Sequence, residues 1–98
     1  MFNEGIYKDF SEEEILKRIR KKGFDPTKFS NQPKFVYERH KHPETKLLVF
    51  LDGEMAVKVG QERFLCKAGD ELIIPGNTWH SAIVGKSGCT FFWSEKII

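Results

Sequence analysis

Residues 37 to 54 read YERHKHPETKLLVFLDGE, and this stretch decides the fold. Lys46 to Leu51 is short, rich in Leu, Val and Phe, and bounded by turn formers, which is the pattern of a strand. Asp52-Gly53 then reads as a two-residue hairpin turn, since both turn positions need positive φ. Before it lie His40 and His42, two apart on a second extended segment. Alternate strand residues share a face, so at about 3.3 Å per residue both imidazoles point to one spot about 7 Å apart at Cα.

Outward from this stretch the pattern repeats. Lys34 to Lys41, Lys46 to Leu51, Glu54 to Val59, Glu62 to Cys66, Glu71 to Ile74, His80 to Val84 and Cys89 to Ser94 all read as strands. Gly60-Gln61 fits the hairpin turn with glycine first. Ala68-Gly69-Asp70, Pro75-Gly76-Asn77 and Gly85-Lys86-Ser87-Gly88 are further breaks. Short strands joined by tight turns, with no alternating helices, imply an all-β sandwich or barrel and exclude a parallel α/β sheet.

Residues 1–33 form a different preface. Ser11 and Glu14 make a capping box for a helix over about 12–22, with Phe10 and Ile15 as its hydrophobic staple. Ile15, Leu16 and Ile19 give one apolar stripe. Gly23 supplies the left-handed residue that ends the helix, Phe24 folds back on the last turn, and Asp25-Pro26 prevents continuation. The basic run from Lys17 to Lys22 sits at the helix end and Glu12 to Glu14 at its start, the arrangement the helix dipole favours, so it is no argument for nucleic acid.

The composition agrees with one domain, the barrel occupying 34–98. Ninety-eight residues with nine Phe, two Trp and two Tyr suffice for a single core. A net charge of +2 gives no electrostatic case for nucleic acid. No apolar run approaches the roughly 20 residues of a membrane helix, and the first residues lack a signal-peptide pattern, so no membrane association and a cytoplasmic location are expected. Cys66 and Cys89 read as reduced thiols.

The chain has three histidines, and the third, His80, opens another strand. With His40 and His42 it lies on motif positions that resemble the cupin superfamily. The family shows G-x5-H-x-H-x3or4-E-x6-G and then G-x5-P-x-G-x2-H-x3-N. Here His40, His42 and Gly53 match the first motif, in YERHKHPETKLLVFLDGE, and Gly69, Pro75 and His80 match the second, in GDELIIPGNTWH. The resemblance implies a jelly-roll β-barrel, with the helix packed outside. It also implies one divalent transition metal on His40, His42 and His80. Zn, Fe, Ni or Mn all fit, as does Cu, because imidazole suits several of them.

Three departures stand out. Asn77 replaces a glycine, Val84 the closing Asn, and Lys46 the metal-binding Glu. Asn tolerates left-handed φ, and Val84 reads as structural. Lys46 is the serious change. An ammonium about 5 Å from a divalent ion costs on the order of several kcal/mol, unless it swings outward or sheds its proton. Glu38 or Glu44 is a candidate replacement ligand or supporting carboxylate, and cupins with a three-histidine site are known.

Alternation places Lys46, Leu48 and Phe50 toward the pocket and Leu47, Val49 and Leu51 away from it. Met55, Val57 and Val59 are expected in the core. Trp79 is expected at the barrel mouth or as a packing aromatic, and Phe91, Phe92 and Trp93 divide between wall and outer face. An apolar outer face suggests a homodimer. Two functions follow from the resemblance and its exception. One is a metal-binding cupin of undetermined activity, for which the resemblance allows a metal-dependent enzyme acting on a small polar molecule, with Lys46 as candidate catalytic group. The other is a non-catalytic barrel, a binder or sensor of small ligands, that Lys46 keeps free of metal.

Overall fold

Two long strands organise the molecule. The structure, a computed structural model, describes residues 1–98 and contains β1 (Phe2–Asn3), α1 (Glu12–Lys21), β2 (Thr27–Asn31), β3 (Val36–His40), β4 (Thr45–Val59), β5 (Glu62–Lys67), β6 (Glu71–Ile74) and β7 (His80–Lys96). All pairings are antiparallel, in the order β1-β6-β4-β7-β2, with β3 also on β7 and β5 also on β4.

The Asp52-Gly53 hairpin is not formed. Strand β4 runs through it, and β7 likewise runs through Gly85–Gly88, so four expected strands merge into two. The physical reason lies across the ladder. Gly53 does adopt φ +73, and Gly88 φ +79, but Gly53 pairs with Cys89 beside register shifts on both sides. A Cβ at Gly53 would overlap the Gly88 carbonyl oxygen. The left-handed residue makes a bulge that bends two crossing strands instead of reversing one. The first half of β4 therefore pairs with β6 and the end of β7, and its second half with β5 and the start of β7. The Gly60-Gln61 turn does form, joining Val59 to Glu62 with Gly60 at φ +57.

The sheet also takes in residues assigned to the preface. Thr27–Asn31 pairs with Cys89–Trp93, so the barrel starts before residue 34. This strand is almost wholly exposed and shows no alternation, so no periodic signal marks it.

The curled sheet has two faces and two cores. Leu48, Phe50, Met55, Val57, Val59, Leu72 and Phe91 fill the inside. Leu47, Val49 and Phe92 face outward and are sealed by Tyr7, Ile15, Ile19 and Phe24. The outer face that suggested a dimer is thus covered by the chain's own helix. Each such aliphatic side chain contributes about 1.5–3 kcal/mol on burial.

Helix α1 forms as expected. Ser11 accepts from Glu14 N–H while the Glu14 carboxylate accepts from Ser11 N–H. At the other end Phe24 N–H reaches Ile19 O and Gly23 N–H reaches Arg20 O, with Gly23 at φ +89, the Schellman pattern.

Candidate metal centre

The three histidines converge because two loops are stitched together beside β7. His40 ends β3 and pairs with His80, which also pairs with Val59 of β4. His42 follows in a loop held by Asn77 N–H, which donates to His42 O at 2.7 Å. Gly76 lies so close to Pro43 that a Cβ there would overlap the Pro43 carbonyl oxygen. The turn at 75–77 and the loop at 41–44 therefore set each other's positions. Ring centroids stand 4.3 Å apart for His40 and His80, 4.9 Å for His42 and His80, and 5.3 Å for His40 and His42. One nitrogen from each ring falls within 4.8 Å of the others.

Orientation matters as much as distance. His80 Nδ1–H donates to Thr78 O at 2.8 Å, and His40 Nδ1–H donates to Glu38 O. Both rings are thereby held in the tautomer that leaves Nε2 with a free lone pair. His42 Nδ1 is buried with no hydrogen-bond partner. The nearest carboxylate oxygen, on Glu44, is 3.6 Å away, too long for a hydrogen bond. Burial holds the His80 imidazole below its ordinary range. The Thr78 carbonyl opposes this, and His40, His42 and Lys46 reinforce it. Neutral imidazoles with free nitrogens are what a transition metal requires, so the residues present fit one.

The other expected site residues separate. Lys46 and Leu48 line the cavity, while Phe50 is fully buried beneath it and stacks against Phe91, a lining residue. Phe50 has the right face but lies too deep. Trp79 is not in the cavity wall. It lies on the surface under the Arg39 guanidinium and the Lys41 ammonium, at 4.2 and 5.1 Å. Glu38 is exposed and offers only its backbone carbonyl to His40, and Glu44 stands beside His42. Neither joins the three-histidine cluster.

Lys46 does not swing outward. Its ammonium stays in the cavity wall, paired with Glu95 and 4.3 Å from the Trp93 ring centroid. Glu95 is the residue the sequence reading missed. It lies opposite Lys46 across the β4–β7 ladder, 49 positions along the chain, and only the strand register reveals it. The cavity has a volume of about 420 Å³, and nine of its fourteen lining residues are hydrophobic. It lies within the range of small-molecule sites.

An all-antiparallel barrel with three inward-converging histidines defines the class of protein. Residues 29–94 match the family described as Cupin domain, and the chain belongs to that family. Solved structures agree on the fold. The conserved protein SPY1581 of Streptococcus pyogenes, of unknown function, superposes with a TM-score of 0.68 at 19% identity, covering 76% of this chain and 65% of that one. The Cnp3 cupin domain of Schizosaccharomyces pombe gives 0.70 at 16%, covering 76% and 53%. A protein described as a predicted oxalate decarboxylase from Thermotoga maritima gives 0.68 at 20%, covering 84% and 74%. The chain thus spans 53% to 65% of the first two. Comparison with curated proteins finds no match. No helix is long and apolar enough to cross a membrane.

Proposed function

We propose that this cupin binds one divalent transition metal through His40, His42 and His80 and acts on a small molecule in the adjoining cavity. The observation that carries this reading is the pair of tautomer-locked rings beside the orphaned Nδ1 of His42, all gathered within ligand reach. Buried polar atoms without partners are costly unless a ligand or water meets them. Three protein ligands leave open coordination positions, through which a bound metal supplies Lewis-acid polarisation of a substrate oxygen. The backbone carbonyls of Glu38 and Thr78 orient the rings. Leu48, Val57 and Phe91 exclude water, and Lys46, anchored by Glu95, holds a positive charge in the wall.

The test is the metal content of untagged protein purified without chelator, beside the triple variant His40→Ala/His42→Ala/His80→Ala. The expected result is about one equivalent of a single transition metal, absent from the variant. Protein that is metal-free and refuses added Zn, Fe and Ni overturns the reading. One observation favours a second reading, a non-catalytic ligand-binding barrel: the Lys46–Glu95 pair stands where a carboxylate ligand is expected. That reading predicts ligand stabilisation without metal.

We also assign the chain to a homodimer in the cytoplasm. Phe35, Val36 and Ile83 are exposed apolar residues, and Val36 pairs directly with Ile83. Cys66 and Cys89 are buried, and burial pushes their thiols up to about 12 and 11, as suits reduced, inert cysteines. Sedimentation equilibrium checks the dimer, and a monomer at micromolar concentration removes it.

A further inference from the structure

We infer that the cavity takes an organic monoanion: a planar aromatic or branched apolar body carrying a single carboxylate or enolate oxygen head. The inference deepens the metal-binding reading and rests on it for the position of the head group. It starts from charge. The imidazoles contribute no charge when they act as ligands, and Lys46 and Glu95 cancel each other. No carboxylate joins the histidine cluster. A divalent ion held there would keep its double charge within the ligand set, where a cupin with the usual Glu ligand would neutralise half of it directly. It is offset only from outside that set, by the Glu44 carboxylate, 3.6 Å from His42 Nδ1. An unbalanced charge beside an apolar wall is strongly unfavourable, so the site draws an anion from outside the protein.

The wall specifies the rest of the ligand. Phe29 lies 6.2 Å from Phe91 and 5.8 Å from Trp93, centroid to centroid. Leu48, Met55 and Val57 continue this surface inward. The hydroxyl of Tyr37 is already spent, donating to Asn31 Oδ1 at 2.7 Å, so Tyr37 offers the cavity mainly its ring. Polar and aromatic halves meet at Lys46, whose ammonium sits over Trp93. A sugar or polyol would leave most of its hydroxyls without partners against such a wall, which costs about 1–3 kcal/mol for each unsatisfied group. An aromatic acid would place its ring on Phe29 and Trp93 and its anionic oxygen toward the histidines and Lys46.

The probes are benzoate, its neutral isostere benzamide, acetate and glucose, titrated against the full chain with and without zinc. Trp fluorescence and thermal shift give the readout. Benzoate is expected to bind about tenfold tighter than benzamide, the difference a charge-assisted contact makes, and tighter than acetate. Zinc and benzoate should strengthen each other's binding by the same factor. Lys46→Gln should reduce the benzoate preference, and Lys46→Gln/Glu95→Gln repeats the test without leaving a lone, half-buried carboxylate. Phe29→Ser, at a half-exposed position, should weaken benzoate and leave acetate unchanged. Benzamide binding as well as benzoate, or glucose outcompeting both, overturns the proposal. Failure to take up zinc removes the metal reading and the anion proposal together, because the unbalanced charge comes from the metal. Zinc uptake without a benzoate preference sinks the anion proposal alone.

Discussion

Even- and odd-numbered residues in the first half of β4 look into two different environments. Lys46, Leu48 and Phe50 face the cavity side, while Leu47 and Val49 face the helix side. On the helix side every polar demand is met. Glu71 is buried, and its carboxylate accepts from Tyr7 Oη–H at 2.9 Å, Lys22 Nζ at 2.9 Å and Asn3 Nδ2 at 3.0 Å. On the cavity side demands are left open, namely the free Nε2 atoms of His40 and His80 and the orphaned His42 Nδ1. One face of a single strand is finished by the chain itself, and the other leaves imidazole nitrogens without a partner in the chain.

The comparison breaks first at the finished face. Leu47 is fully buried between the sheet and α1. Leu47→Ala should cost about 2–5 kcal/mol, the range for a core truncation that leaves a cavity. Phe29→Ser, on the wall of the open cavity, should cost much less. Urea unfolding of both variants decides this, and equal losses would erase the distinction between the faces.

Acid sharpens the same comparison. Burial pushes the Glu71 carboxyl up, but hydrogen bonds from Lys22, Tyr7 and Asn3 outweigh it and hold it below its ordinary 4.5. Its contribution is therefore present above 4.5 and lost as the pH falls through the lower folded value. His80 is held below its ordinary 6.5 chiefly by burial. The unfolded chain takes up a proton near 6.5 that the folded imidazole refuses, so stability present above 6.5 is lost as the pH falls below it. Metal-free protein should thus weaken in two steps, the open face first. His80→Ala should remove the upper step, and Glu71→Gln the lower one at a cost of about 1–3 kcal/mol. Lys22, raised by Glu71 and Tyr7 against the opposing pull of its burial, adds stability present below 10.5 that fades as the pH rises through its folded value. Glu71→Gln should flatten that alkaline limb as well. Melting temperatures from pH 3 to 11 check all three, and a single acid step unaffected by His80→Ala counts against the assignment.

How much of this was legible beforehand depends on how far apart the deciding residues lie. The capping box joins residues three apart, so α1 could be read locally, and so could the inward set Met55, Val57 and Val59. The histidine cluster was legible because motif spacing carries the long-range information. Gly53 was misread because its left-handed φ suits a hairpin and a bulge equally, and Gly88 across the ladder makes the choice. Glu95 was invisible for the same reason, since its partner is found by register alone. Alternation gave Phe50 its face but says nothing about depth, and β2 shows no alternation at all.

The smallest effect tests whether the two histidine loops keep a backbone meant for glycine. Only Lys34 and Asn77 among non-glycine residues have positive φ, at 64° and 58°. Lys34 stands six residues before His40, at the first glycine of the family's first motif, and Asn77 at the second glycine position of the second motif. The loops hold these conformations through hydrogen bonds, Lys34 N–H to Gly85 O at 3.2 Å and Asn77 N–H to His42 O at 2.7 Å. A left-handed residue with a Cβ costs about 1–2 kcal/mol, and Gly gives back roughly 0.5–1 in chain entropy. Lys34→Gly should therefore stabilise by about 0.5–1 kcal/mol, with Lys34→Ala neutral because it keeps the Cβ. Asn77→Gly should gain less, since Asn tolerates this region. Thermal denaturation of the three variants reads the order directly. If Lys34→Gly gives no gain over Lys34→Ala, the loop before His40 is not strained, and its backbone is set by the β7 contact alone.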